Sequence, residues 1–370
     1  MSGLGSSWNS CDVLIAGGGP AGLSAAIALA ERGFAVTVVD PDESTVSTRC
    51  EMLPPAAGPV IGRLGIADIV RQAIALEGVT SHWGVRPRHE DAFRHDGGWS
   101  VERRVIEGRL RSRAERLGAR LCKFSVRSLE GRPGAWRIRL SARDVTSQAD
   151  ISCRYLVDAT GRRAVVARRL GARLEVGRDL VALLFKTISP VPARLLAEAT
   201  PDGWWYSLPC LEGGGTIGYV TSAKLANEMR KSLSGKGLDD TERLVTRPFG
   251  TASTLHDSRC SRLSRCSGTG WIAAGDAASA FDPISSQGLF NALSSGFFAG
   301  NAAADALYGN QTAPDIYQSL VERTAARTYL STPWQYAASR HSTAFWSVRS
   351  KPVFPGRGVE PHVSAARKSG

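Results

Sequence analysis

An apolar run, Val13-Leu14-Ile15-Ala16, leads directly into Gly17-Gly18-Gly19-Pro20-Ala21-Gly22. An alanine-rich stretch to Glu31, then Gly33, then a second apolar run, Ala35 to Val39, follow, and Asp40 closes the segment. No other stretch constrains the chain as much. Strand, glycine turn, helix and strand form a β-α-β unit, and G-x-G-x-x-G in that setting is the fingerprint of a dinucleotide-binding fold. Gly17 permits the tight turn, Gly19 lets backbone approach a pyrophosphate, and Gly22 lets the helix pack on the strand. The helix N-terminus at Pro20 and Ala21 offers amide donors and a partial positive charge. Asp40, about twenty residues on, is placed to accept hydrogen bonds from a ribose diol. A dinucleotide held by these six residues is therefore expected.

The 370 residues suffice for two domains with a substantial core. Hydrophobic residues at 43% and charged residues at 22% exclude long disorder and a membrane-embedded chain. The net charge is +12, yet only seven of the 46 basic residues are lysines, so the positive charge is mostly guanidinium, which clamps phosphates and carboxylates. The seven cysteines are scattered without metal or redox spacing and read as reduced, packed thiols, and no cluster has metal-ligand spacing. The N-terminal apolar run lacks a basic flank and breaks at three glycines, unlike a signal peptide or membrane span, so a cytoplasmic protein is expected. Residues 351–370, rich in Lys, Arg, Gly and Pro, read as a flexible tail and not as a nucleic-acid arm.

Further along, Trp136 to Ser141 and Ile151 to Val157 read as strands, the second feeding Asp158-Ala159-Thr160-Gly161. Arg104 to Leu117 carries an apolar stripe at helical spacing. Trp204 to Pro209 and Thr216 to Thr221, separated by glycines, read as strands of an antiparallel sheet. A last strand, Gly270 to Ala274, runs into Gly275-Asp276 and a small-residue helix from Gln287.

Asp158-Ala159-Thr160-Gly161-Arg162 and Gly275-Asp276-Ala277-Ala278-Ser279-Ala280-Phe281-Asp282-Pro283 resemble the second and third FAD fingerprints of the p-hydroxybenzoate hydroxylase-like flavoproteins. That superfamily also contains flavin-dependent halogenases and geranylgeranyl reductases. The resemblance implies FAD, with Asp158 and Gly161 in the second fingerprint and Gly275 in the third. It further implies Asp276 on the ribitol hydroxyls and the loop from Pro283 to Asn291, through Gln287, Gly288 and Leu289, beside the isoalloxazine. Positive potential from a helix N-terminus there favours an anionic reduced flavin.

Within the superfamily the chain is most similar to the accessory monooxygenases that mature quinone cofactors in amine dehydrogenases and amine oxidases. The residues that carry this are Glu51-Met52-Leu53-Pro54-Pro55-Ala56-Ala57, Ser81-His82-Trp83-Gly84, Gly98-Trp99 with Glu102-Arg103, Ile284-Ser285-Ser286-Gln287-Gly288, and Phe345-Trp346 after Arg340. The similarity spans roughly residues 10 to 350, with Cys50 standing where a glycine is expected before Glu51. The implied fold is α/β. A Rossmann-like FAD-binding domain of the glutathione reductase type (10–75, 99–172 and 255–312) carries an inserted antiparallel β-sheet substrate domain (76–98 and 173–254). C-terminal helices (313–350) and the tail complete it.

The implied activity is hydroxylation of an aromatic substrate, with a Trp or Tyr side chain of a peptide as one option. Reduced FAD takes up O2, and a flavin hydroperoxide transfers oxygen where water is excluded. Electrons come from NAD(P)H docking transiently or from a separate flavin reductase, because there is no second G-x-G-x-x-G. A halogenase of the tryptophan type needs a lysine early in the chain and a glutamate after the third fingerprint. This chain has no lysine before Lys123, and Ser285 stands at the acid's position. A halogenase with another chloride site, another FAD oxidoreductase acting on a small aromatic, and a non-catalytic FAD-fold binding protein are the alternatives.

Catalytic side chains are sparse in such a reading, since the flavin carries the oxygen chemistry. His82, before Trp83, is the candidate base, and Gln287 a hydrogen-bonding contact to flavin or substrate. Arg103, between strand and helix, and Arg49 are candidate FAD contacts, as is Arg162. Trp83, Trp205 and Tyr206 are expected to line the substrate pocket, and His89 and His95 to lie in a polar loop.

Overall fold

The computed structural model describes residues 9–41, 49–86, 88–91, 97–143, 147–232 and 254–354. His95 lies outside them. The central sheet runs in the order Ser267–Gly268, Trp271–Ala273, Gln148–Asp158, Ser10–Ala16, Val36–Val39 and Arg120–Cys122, and an antiparallel hairpin of Ser125–Arg132 and Ala135–Ser141 joins its long third strand. Four neighbouring pairings at its heart, from Trp271–Ala273 through to Arg120–Cys122, are parallel. Parallel strands are covered on both faces, which is why Val13, Leu14 and Ile15 form an unbroken apolar run and they, Val36, Val38 and Val39 have almost no exposure.

The helix Pro20–Ala30 packs against the helix Gly288–Leu307, and both contact this sheet. Small residues permit that contact: a Cβ on Gly296 would stand 2.2 Å from the Ala21 carbonyl oxygen, and one on Gly300 2.6 Å from that of Ala25. The four-residue spacing of Gly296 and Gly300 keeps both on one helical face. This close approach brings the N-termini of the two helices, near Pro20 and Gly288, to the same cavity.

The second large sheet is ordered Thr254–Asp257, Val181–Thr187, Gly215–Thr221, Gly203–Pro209, Leu195–Thr200, Gly78–His82 and Arg88–Asp91. The antiparallel expectation needs one correction: Leu195–Thr200 and Gly78–His82 pair in parallel. They are joined by more than a hundred residues of chain, so no hairpin dictates their direction. His89, expected in a loop, belongs to the edge strand of this sheet, its Nδ1 3.1 Å from the Thr80 hydroxyl. One face packs Val181, Leu183, Phe185, Trp205, Ile217 and Tyr219 against Ala226 of the helix Ala223–Ser232. The other face, with Ala182, Trp204 and Val220, meets Tyr336 of the helix Ala313–Ala337 and Phe345 and Trp346 of Ala344–Arg349.

The reading of all cysteines as free thiols is also corrected. Cys50 and Cys210, 160 residues apart in sequence, are bonded to each other with their Cα atoms 6.1 Å apart. Cys11, Cys122, Cys153, Cys260 and Cys266 are free and buried. Spacing could not reveal the pair, because it depends on the strand Cys50–Leu53 meeting the end of Gly203–Pro209. Among the described residues no helix is long and apolar enough to cross a membrane, and no group of His, Cys, Asp and Glu is placed to hold a metal.

Candidate FAD and substrate cavity

The glycine turn is built by steric necessity. Gly17 has φ +106°, and a Cβ on it would stand 2.1 Å from the Ala159 carbonyl oxygen; a Cβ on Gly22 would stand 1.9 Å from the carbonyl oxygen of Gly17 itself. At Gly19 the nearest neighbour is Arg103 Nη2, 3.9 Å from the hypothetical Cβ, so this residue opens onto free space. The Gly18 amide donates to Asp40 Oδ2 at 2.5 Å, which ties the end of the second strand to the turn. Gly19, Pro20 and Ala21 then form one wall of a cavity of about 840 Å³.

Beside that helix N-terminus sits a chain of alternating charges. Glu51 Oε1 accepts from Arg49 Nε at 2.7 Å and from Arg103 Nη1 at 3.0 Å, and Arg103 Nε donates to Glu107 at 2.6 Å. Burial alone would raise the Glu51 pKa, but Arg103 and then Arg49 outweigh it and bring the carboxyl to about 2. For Arg103, burial works against the charge and the two glutamates more than restore it, so its pKa is raised. A permanently charged, positioned guanidinium beside an anion-binding helix terminus suits a phosphate. Asp276 lies on the same cavity, 3.4 Å from Arg162 Nε, its pKa raised by burial against the pull of Arg162. His256, near Arg49, has its pKa lowered by burial and by that arginine.

Of the FAD contacts expected from sequence, Gly19, Pro20, Ala21, Arg49, Arg103, Gly161, Asp276, Pro283, Gly288 and Leu289 line the cavity. Gly17, Gly22, Asp40 and Gly275 do not line it; Gly17 and Gly22 shape the turn, and Gly275 adopts φ +61° and donates its amide to Ser295. Two expectations are corrected. Asp158 is fully buried, accepting from the amide and hydroxyl of Thr160 and from the Ala167 amide, so its carboxylate holds the loop while Ala159, Thr160 and Gly161 face the cavity. Gln287 is not among the lining residues; it occupies the N-cap position of Gly288–Leu307 without a side-chain capping bond, while its neighbours Ser286 and Gly288 line the space.

The far end of the cavity is apolar. Ala182 and Leu184, Trp204, Tyr206 and Leu208, Leu195 and Ala197, and Val79 and Ser81 present alternate residues of four strands to it. Trp83 joins them, its ring 5.7 Å from Trp204 and 5.1 Å from Trp346, its indole N–H donating to the Gln335 carbonyl at 2.8 Å. Tyr206 lies across Gly218, where any Cβ would come within 2.0 Å of the ring. Burial pushes its hydroxyl up to about 12.

The period of two corrects two further expectations. Trp205 points to the opposite face, 1% exposed, its ring 4.5 Å from Tyr219. His82, between the cavity-facing Ser81 and Trp83, likewise falls outside the wall, so it is not placed as the base. Sequence reasoning missed Trp204, Glu51 and Asp282 as site residues. Trp204 was recoverable, since the alternation that puts Tyr206 and Leu208 on one face puts Trp204 there and excludes Trp205. Glu51 acquires its place only from two arginines distant from each other in sequence.

The cavity fits FAD. A helix N-terminus with an open glycine and two arginines suit the pyrophosphate, Asp276 suits a hydroxylated chain, and the Pro283 to Leu289 loop faces the apolar end where a flat ring system would lie.

The FAD binding domain family description matches residues 10–328. Among curated proteins, the chain is 25% identical over 376 residues to a tryptophan 2-halogenase of Chondromyces crocatus, covering 92% of this chain and 71% of that one. It is 24% identical over 309 residues to the putative FAD-dependent oxidoreductase LodB of Marinomonas mediterranea, covering 77% and 82%. Among solved structures, the peptidyl tryptophan dihydroxylase QhpG has a similar fold at TM-score 0.71 and 24% identity, over 95% of this chain and 81% of that one. The p-nitrophenol 4-monooxygenase PnpA of Pseudomonas putida has one at TM-score 0.74 and 16% identity, over 92% of each. With its three fingerprints gathered on one cavity, the chain belongs to the FAD binding domain family and is an FAD-dependent oxidoreductase.

Proposed function

We propose that this protein is a monooxygenase that hydroxylates an aromatic ring, the ring belonging to a Trp or Tyr side chain of a peptide. The observation that carries this reading is the continuity of the FAD cradle with an apolar wall of Trp83, Trp204 and Tyr206, in a cavity whose described lining contains no lysine. Bound FAD supplies the reduction of O2 with electrons from NAD(P)H or a flavin reductase, one oxygen atom entering the ring and the other leaving as water. The chain binds and orients. Gly19 and Arg103 address the pyrophosphate, and Leu184, Trp204 and Tyr206 hold a ring beside the Pro283 to Leu289 loop and exclude water from it. The similarity to QhpG in fold accords with hydroxylation, and the lysine-free lining argues against relay of hypohalous acid.

The test supplies FAD, NAD(P)H or a flavin reductase, O2 and halide together with Trp-containing peptides, Tyr-containing peptides and free indoles. Mass spectrometry is expected to find oxygen added to a peptide. Products carrying only halogen would overturn the hydroxylase reading, and turnover of free indoles alone would overturn the peptide. A colourless protein that takes up no FAD on titration would leave a binding protein in its place.

A further inference from the structure

The segment from Phe281 to Ser286 walls the main cavity, and one residue in it, Asp282, borders a second space as well. Behind it lies a separate chamber of about 20 Å³ lined by Arg178, Thr332, Tyr336 and Arg349 among others. A chamber of that size admits a single water, and these polar walls give it partners. Arg178, which also lines it, is half-exposed and donates to the carbonyls of Lys351 and Pro352.

The hydrogen bonds around Asp282 have a fixed direction. Trp204, on the substrate wall, has an indole N–H that can only donate, and it points at the Tyr336 hydroxyl at 3.4 Å. Tyr336 then donates its own proton to the Asp282 carboxylate, 3.1 and 3.2 Å away, while the Ile284 amide donates to Oδ1 at 3.0 Å. The chain of donors begins on the substrate wall and ends on one acid that is 5% exposed. Burial raises that acid to about 6, against the Ile284 amide, Tyr336, Arg349 and Arg162. The charged and titratable groups that face it are Tyr336, Arg349, Arg162 and Cys260, with Arg178 across the chamber. A buried carboxyl that changes charge near neutrality and borders two cavities has the properties of a proton carrier.

We propose that Asp282 exchanges protons between the main cavity and solvent through the small chamber, with Tyr336 as its positioning residue. During hydroxylation the ring carbon that gains oxygen loses its hydrogen as a proton; the C–H electron pair returns to the ring and Asp282 takes the proton. Without substrate, the protonated acid supplies the one proton needed when the anionic reduced flavin, FADH−, and O2 give oxidised FAD and hydrogen peroxide. The inference rests on the oxygen-using flavoprotein reading but not on any substrate.

The experiment follows that reoxidation. FAD-loaded protein is reduced with dithionite, mixed with O2 across a range of pH, and the return of oxidised-flavin absorbance is timed. The wild type is expected to slow as pH rises through a break near 6, the side on which the acid has lost its proton. D282N is expected to lose the break and to react roughly tenfold or more slowly at low pH. Y336F keeps the acid but removes a hydrogen bond that favours the carboxylate, so its break is expected to move to higher pH. A wild-type profile without a break, or a break that survives D282N and disappears with H256N, overturns the proposal. Flavin content and the position of the flavin absorbance band identify a variant that has failed to fold, in which case Y336F decides alone. Failure of peptide hydroxylation leaves this experiment intact, so the two readings fail separately.

Discussion

At the scale of single residues, the site is governed by close contacts that tolerate no extra atom. Gly22→Ala would force a Cβ to within 1.9 Å of the Gly17 carbonyl oxygen. Because the helix carrying Gly22 presents the anion-binding N-terminus, the expected result is a loss of FAD affinity of roughly a hundredfold or more, read by fluorescence titration. Gly108, on the exposed side of the helix Arg103–Arg116, meets nothing within 4 Å, so Gly108→Ala is the matched control. It is expected to bind FAD normally and to gain about 0.5–1 kcal/mol in denaturant unfolding.

Glu51 makes a pH prediction of definite sign. Its folded pKa, about 2, lies below its ordinary value of 4.5, so the ion pairs with Arg103 and Arg49 stabilise the protein fully above pH 4.5 and are lost as pH falls toward 2. Asp282 acts in the opposite sense. Its folded value of about 6 exceeds 3.8, so the folded state binds the extra proton and stability falls as pH rises between the two. Unfolding midpoints measured from about pH 2 to pH 6 should therefore show E51Q without the acid-side loss and D282N without the decline toward pH 6.

At the scale of elements, the strand Gly203–Pro209 decides which aromatic does what. Trp205→Ala empties a fully covered position between Phe185 and Tyr219 and is expected to cost about 3–5 kcal/mol of stability. Trp204→Phe, one residue away, keeps most of its packing but loses the N–H to Tyr336 and reshapes the cavity. It is expected to change KM for an aromatic substrate at least several-fold with a thermal midpoint close to wild type. Equal effects of the two variants on KM would contradict the assigned faces. The sequence reading chose adjacent residues, Trp205 and Tyr206, for one pocket, a choice a β-strand forbids. Alternation was legible in the sequence. Which alternate set faced the cavity was not, because it depends on the helices Ala223–Ser232 and Ala313–Ala337 packing on opposite faces.

At the scale of the whole molecule, the bond between Cys50 and Cys210 joins the strand that carries Glu51 to the end of a strand in the second large sheet. Closing a loop of 160 residues removes unfolded-state entropy worth about 5 kcal/mol at most on the chain-entropy account. Reductant, or the double change C50A/C210A, is expected to lower the unfolding midpoint, and unreduced peptide mapping should recover the two cysteines in one fragment pair. A midpoint indifferent to reductant would remove the cross-link from the account of stability.

The sequence alone determined the β-α-β unit, the order of the three fingerprints, and with them the cofactor class. Each is a local demand: a glycine where a Cβ would strike backbone at Gly17 and Gly22, an apolar run where both sheet faces are covered, an acid at a strand end. Only the tertiary structure decided which side chains share the cavity. Asp158 turned inward because the Thr160 amide and hydroxyl and the Ala167 amide of the next helix donate to it, and His82 fell outside the cavity wall. Glu51 came to rest between Arg49 and Arg103, and Asp282 between two cavities, through contacts across 52 and 54 residues of chain. Spacing along a chain fixes how residues alternate or turn. It carries no information on which distant element packs against them, and that packing sets burial, charge and the path of a proton.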